Sequence, residues 1–225
     1  MVSPPCATNC GGPAAYGQVA TLPFPGGAAE AAALIIARRQ QWERSRLRSA
    51  HVHLNELDFL SNSPLNSAVV DAATGETLYT ISTPRTLGTR ATTVCDAAGK
   101  TVALYRRHWG RGEVELHGVT RDVSSWLVSD GVFSSSKRFV APDGRTYIWK
   151  KQWGANEFEL VDDQTQQLVA KSSGTRSVLR PSDRMSLEIS PQAVPILDAV
   201  VLSFIICEKN RRGKNAATAA TVAVV

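Results

Sequence analysis

Long apolar runs are scarce in this chain. The one from Val200 to Cys207 falls far short of the roughly 20 residues that span a bilayer. Extending it N-terminally would take in Asp198, a costly residue inside a membrane, so the stretch reads as a buried core helix and not a transmembrane span. Charge is missing from Met1 to Ala29, before Glu30. That excludes the basic start of a secretory signal and the arginines of a transit peptide. Cysteine is rare: Cys6, Cys10, Cys95 and Cys207 are too few in 225 residues for a disulfide framework, which implies a reducing, intracellular (cytoplasmic) location. No nucleophile elbow, phosphate-binding Gly-rich loop or dinucleotide glycine pattern occurs. Carboxylates pair up only in the two hairpins described below. The expectation is a non-enzymatic protein, with no catalytic residues and no cofactor.

What is present suits one good-sized domain with tails: 43% of residues are hydrophobic and 20% charged. The formal charge of +5 is unevenly spread, because residues 38–48 carry five arginines against Glu43 and residues 208–214 carry four bases against Glu208. These stretches sum to +4 and +3, which leaves about −2 for everything else. The body of the domain is therefore not a nucleic-acid-like basic surface.

The helix of residues 195–212 organises the rest. Wound at 3.6 residues per turn it places Ile196, Val200 and Phe204, then Leu197, Val201 and Ile205, then Leu202 and Ile206 around its whole circumference, so it needs walls on every side. Pro195 suits its first turn and Gly213 a C-terminal stop, and Asp198 and the bases Lys209, Arg211 and Arg212 match the two ends of its dipole.

Residues 1–50 read as a disordered leader rich in Pro, Gly and Ala, followed from Ala28 by a basic helix. Residues 51–213 form the domain, and residues 214–225 a disordered tail. Within the domain, short β-rich runs alternate with turn residues. Twelve candidate strands follow: residues 67–71, 76–82, 89–95, 100–109, 113–118, 126–129, 137–140, 146–153, 157–161, 167–171, 175–180 and 185–189. Thr74-Gly75, Ala98-Gly99, Asp143-Gly144 and Asp162-Asp163 mark turns.

A repeat recurs after 44 residues, with Arg106 to Leu116 matching Lys150 to Leu160 at five of eleven positions. Two hairpins of one design are implied, with loops at residues 110–112 and 154–156. In that register Arg107 faces Glu115 and Lys151 faces Glu159, as surface ion pairs worth roughly 0 to 1 kcal/mol. The alternative reading makes Arg106, Arg107, Lys150 and Lys151 a phosphate-binding patch beside Trp109 and Trp153. His51 and His53 alternate on one possible strand, but no third metal ligand is placed near them, so no metal site is expected. His108 and His117 fall at hairpin positions and read as structural.

A mainly β domain in which about twelve antiparallel strands close into a barrel around a C-terminal hydrophobic helix resembles the Tubby C-terminal-like fold. That fold is shared by Tubby, LURP-one-related proteins and, as proposed, phospholipid scramblases. The nearer likeness is to a fungal family of unknown function. The residues that carry it are Val94 to Lys100, the two Trp-Gly hairpins and Ile196 to Arg212. The resemblance implies a helix threaded through a closed barrel without exposed sheet edges, and a lipid-binding module for anionic, phosphoinositide-like headgroups at a membrane surface. The bases expected to carry binding are Arg38, Arg39, Arg44, Arg46 and Arg48, with Arg106, Arg107, Lys150 and Lys151. A protein-interaction scaffold is the alternative, its partner docking on the N-terminal basic helix.

Overall fold

The computed structural model describes residues 55–84, 90–108, 111–130, 135–151, 157–173 and 185–222. Thirteen strands run among them. These are β1 (Asn55–Phe59), β2 (Ser67–Asp71), β3 (Thr77–Ser82), β4 (Arg90–Asp96), β5 (Thr101–His108), β6 (Arg111–Leu116), β7 (Val119–Asp122), β8 (Val128–Ser129), β9 (Lys137–Val140), β10 (Thr146–Lys151), β11 (Phe158–Asp162), β12 (Leu168–Ser173) and β13 (Ser186–Ile189). Eleven coincide with candidate strands, residues 175–180 lie outside the described residues, and β1 and β7 are additional.

Aspartate side chains set the turns. Asp71 Oδ1 accepts from the backbone N–H of Ala73 and Thr74, Asp96 Oδ1 from Ala98 and Lys100, and Asp162 Oδ1 from Gln164 and Thr165. Each carboxylate replaces the backbone partners that the reversing chain loses. The strands form one antiparallel sheet in the order β7-β6-β5-β4-β3-β2-β1-β13-β12-β11-β10-β9-β8. The run β7 to β4 is thus repeated by β12 to β9, which is the structural counterpart of the 44-residue repeat.

Three expectations need correction. The sheet is not closed by hydrogen bonds: β7 and β8 are its two edges. They are joined by α1 (Val123–Trp126), which packs against β6, β7, β8 and β9. Trp126 and Leu127, both 4% exposed, belong to the core.

The hairpins also differ in register, since His108 pairs with Arg111 in the first but Lys151 with Phe158 in the second. Arg106 is therefore opposite Glu113 and Arg107 opposite Gly112; Lys150 is opposite Glu159 and Lys151 opposite Phe158. Arg107 does not face Glu115, nor Lys151 Glu159, because the partner moves by three residues in the first hairpin and by one in the second, and any odd shift turns every side chain to the other face.

The third correction concerns the helix, α2 (Leu197–Val222), which follows a 3-10 turn over Pro191–Ile196 that contains Pro195. It passes through Gly213 instead of stopping there. Gly213 is not among the glycines with positive φ, so it supplies no left-handed cap. The alanines at 216, 217, 219 and 220 favour continued helix, so residues 214–222, expected as disordered tail, are helical.

The core is α2 itself. Val200, Val201, Leu202, Ile205 and Ile206 are fully buried, against strands from both halves of the sheet. Residues 191–217 have the length and hydropathy of a membrane-crossing helix, yet 83% of the apolar 18-residue window within them is buried inside the protein. Cys207 is buried here too, and burial pushes its thiol up to about 12, so it packs as a small hydrophobe. Because a Cβ at Gly213 would meet nothing within 4 Å, Gly213→Ala should stabilise the protein by roughly 0.5 to 1 kcal/mol. Denaturant unfolding of the two proteins checks this, and a lower midpoint for the alanine variant would contradict a continuous helix.

Candidate functional site

Alternation along the strands decides which bases face inward. On β5, Ala103 and Tyr105 are buried, so Arg107 shares their inner face while Arg106 points outward. By the same parity Arg90 follows Thr92 and Val94 on β4, Lys137 shares the side of Phe139 on β9, and Lys151 that of Trp149 on β10. All four lie at strand ends, and Lys209 is at the same end of α2 as Arg211.

Three outward-facing bases have carboxylate partners, Arg106 with Glu115 at 3.1 Å, Arg138 with Asp130 at 2.9 Å and Lys171 with Glu159 at 3.5 Å. The inward rim does not. Among the described residues no carboxylate lies within ion-pair distance of Arg90, Arg107, Lys137, Lys151 or Lys209.

A cavity of about 720 Å³ opens at this rim, between the unpaired edges of the sheet. Arg107, Arg111, Lys137 and Lys209 line it, with Asp122 as the one carboxylate among the described lining residues. Asp122 is engaged in capping α1, its Oδ1 accepting from Ser124 N–H at 2.7 Å and Ser124 Oγ at 2.6 Å. These bonds, with a smaller contribution from Arg111, hold its carboxyl below the usual range.

Gly112 keeps the wall open. A Cβ there would come within 3.1 Å of Val123 Cγ2 and 3.3 Å of the Tyr105 ring.

Positive charge is crowded in the cavity. Burial pushes the Lys209 ammonium below the ordinary lysine value, and the nearby Arg107 charge pushes it the same way. Its described partner is the Asn210 side-chain oxygen at 3.2 Å. The Arg107 guanidinium lies over the Tyr105 ring at 5.8 Å, and its Nε is buried with no hydrogen-bond partner. A buried donor left unsatisfied costs about 1 to 3 kcal/mol.

Of the bases singled out from sequence, Arg107 is the one that lines this cavity. Arg106 is held by Glu115 on the outer face, and Lys150 donates to Gln166 Oε1 at 2.8 Å. Lys151 shares the inner rim but not the cavity wall. Arg38, Arg39, Arg44, Arg46 and Arg48, with His51, His53, Trp109 and Trp153, lie outside the described residues. Sequence reading missed Arg111, Lys137 and Arg90, and took Lys209 as a helix-dipole partner and as one of the bases concentrated at 208–214. Strand parity on β4 and β9 is the signal that could have found Arg90 and Lys137.

At the other end of α2, His117 Nε2 and Tyr79 Oη each lie 2.6 Å from a different oxygen of buried Asp198. His117 and Gly118 have φ of 50° and 80° and connect the paired Leu116 and Val119, as a two-residue hairpin turn requires. His117 is thus structural, tethering the β6–β7 turn to the helix.

A family model described as a family of unknown function (DUF6593) matches residues 62–213. No curated protein matches the chain. An X-ray structure of a protein from Arabidopsis thaliana is similar at 14% identity and a TM-score of 0.41, over 70% of this chain and 91% of that one.

Proposed function

The chain belongs to the DUF6593 family of unknown function, so its role has to come from its own residues, and from these we propose a non-enzymatic module that binds the anionic headgroup of a membrane lipid. The observation that carries the reading is the gathering of Arg107, Lys137 and Lys209 around one cavity with no described carboxylate in ion-pair reach, whereas Arg106, Arg138 and Lys171 on the outer face have such partners. The cavity at the sheet opening is the headgroup site, with Arg107, Lys137 and Lys209 as its principal contacts and Arg111 at its mouth. Lys137 donates to Ser129 Oγ at 2.7 Å and Lys209 to Asn210 Oδ1 at 3.2 Å, so neither charge is neutralised there, and cations without a carboxylate partner are what an anion site needs before its ligand arrives. We read the curled sheet as a Tubby-like barrel whose wall is completed by α1 in place of a β7–β8 ladder. The basic segment containing Arg38, Arg39, Arg44, Arg46 and Arg48 adds attraction to the same surface, each base near an anionic membrane contributing about 1 kcal/mol before screening.

Flotation with vesicles of phosphatidylcholine, alone or mixed with phosphatidylserine, tests this. Binding should require the anionic lipid and weaken as salt rises. Lys209→Met should lower affinity about fivefold, as expected for the loss of one such base. The same substitution should raise the melting temperature of the free protein, since it removes a desolvated charge beside Arg107. Equal binding to both vesicle types, or none at low salt, overturns the lipid reading and leaves a protein-interaction scaffold.

A further inference from the structure

Arg107 borders a second cavity. This one has a volume of about 480 Å³ and is lined by Ser63, Asn66, Thr83, Arg90 and Arg107 among others, with no carboxylate among the described lining residues. Its floor is an arrangement that a sheet normally avoids, because Arg90 and Arg107 are direct partners across the β4–β5 ladder. Like charges placed directly opposite are destabilising. No described carboxylate relieves them, and among the described lining residues these two are the charged ones.

The remaining groups suit an acceptor. Asn66 uses its side-chain oxygen to receive the Thr83 N–H at 2.8 Å, which leaves the amide NH₂ as the group it can offer a ligand. Thr83 Oγ1 is held between Leu65 O and Thr92 Oγ1, at 2.8 and 2.7 Å, so it fixes the turn at residues 63–66 against the strand ends. That turn is tied independently to the helix end, where Arg212 Nη1 donates to Asn62 O.

We infer that the 480 Å³ cavity is a second anion subsite built on the facing pair Arg90 and Arg107, so that Arg107 bridges two subsites and the ligand carries two anionic groups. This rests on the headgroup reading of the first cavity and deepens it. A singly charged headgroup satisfies Lys209 and Lys137 but leaves Arg90 opposite Arg107 uncompensated. A ligand with two anionic groups neutralises both cavities through one shared guanidinium, and its second group binds at the high effective concentration set by the first.

The test uses alkane bisphosphonates of increasing chain length against methylphosphonate, titrated calorimetrically into the full-length protein. For the wild type, one or more chain lengths should bind at least about tenfold tighter than methylphosphonate. Arg90→Gln should abolish that advantage while methylphosphonate still binds. Its melting temperature should not fall, since the change relieves a like-charge pair on an exposed side chain. An advantage that survives in Arg90→Gln overturns the second subsite, as does the absence of any advantage in the wild type, and in both cases the first site stands if methylphosphonate binding weakens about fivefold in Lys209→Met. Failure of the wild type to bind any of these probes overturns both subsites.

Discussion

Phe204→Asp should yield no folded protein. The Phe204 ring is 2% exposed and lies 5.5 Å from Phe59, 5.8 Å from Trp149 and 6.4 Å from Phe158, centre to centre. Those rings come from β1, β10 and β11, so the side chain joins distant strands to the helix. Losing it costs about 3 to 5 kcal/mol as a cavity, and a carboxylate without a partner in that space adds several more. The sum rivals the roughly 5 to 15 kcal/mol that a whole domain has in reserve. Phe204→Leu, which keeps the site apolar, should fold and melt cooperatively. Circular dichroism and the soluble yield of both variants decide the matter, and a soluble aspartate variant with a wild-type melting temperature would refute an enclosed helix.

Glu208→Ala should be nearly as damaging. Glu208 is 3% exposed and is held by Arg211 through Nε at 2.7 Å and Nη2 at 2.6 Å, and by Arg212 Nε at 2.6 Å. Removing one member of a buried ion pair costs about 3 to 5 kcal/mol, whereas replacing the pair by apolar groups of similar shape is often neutral. Glu208→Leu combined with Arg211→Met should therefore recover most of the loss.

The pH dependence follows from the same bonds. Burial pushes the Glu208 carboxyl up, but the arginine hydrogen bonds and charges outweigh it and leave the group below its ordinary value of 4.5. A depressed carboxyl contributes stability that is complete above its unfolded value and lost as pH falls through the lower folded one. The stability gap between wild type and Glu208→Gln should accordingly be full at neutral pH and shrink below that ordinary value. A gap that widens in acid would contradict the assignment.

How much could be read in advance varied with the element. Apolar residues all round the helix are a local pattern, so α2 was legible, as were the Asp-marked turns and eleven strands. β7 was not, because all four of its residues are exposed and its sequence, Val-Thr-Arg-Asp, has no alternation to detect. β1, Asn-Glu-Leu-Asp-Phe, hides its inward Leu57 and Phe59 among polar neighbours that disfavour strands. Gly213 is ambiguous by nature: the same residue caps a helix when its φ is positive and continues it when its φ is not.

The site was less legible than the fold. Arg106-Arg107 and Lys150-Lys151 look equivalent in the repeat, yet the two hairpins close at different offsets and only Arg107 reaches the cavity. The sequence by itself determined the central helix, the turn positions and the excess of bases, since each depends on neighbours within a few residues. Which strands became edges, which arginines met across a ladder and which bases stayed without carboxylates were decided by tertiary structure alone. Register and sheet order join residues as far apart as Arg107 and Lys209, and no local pattern encodes a pairing made through space.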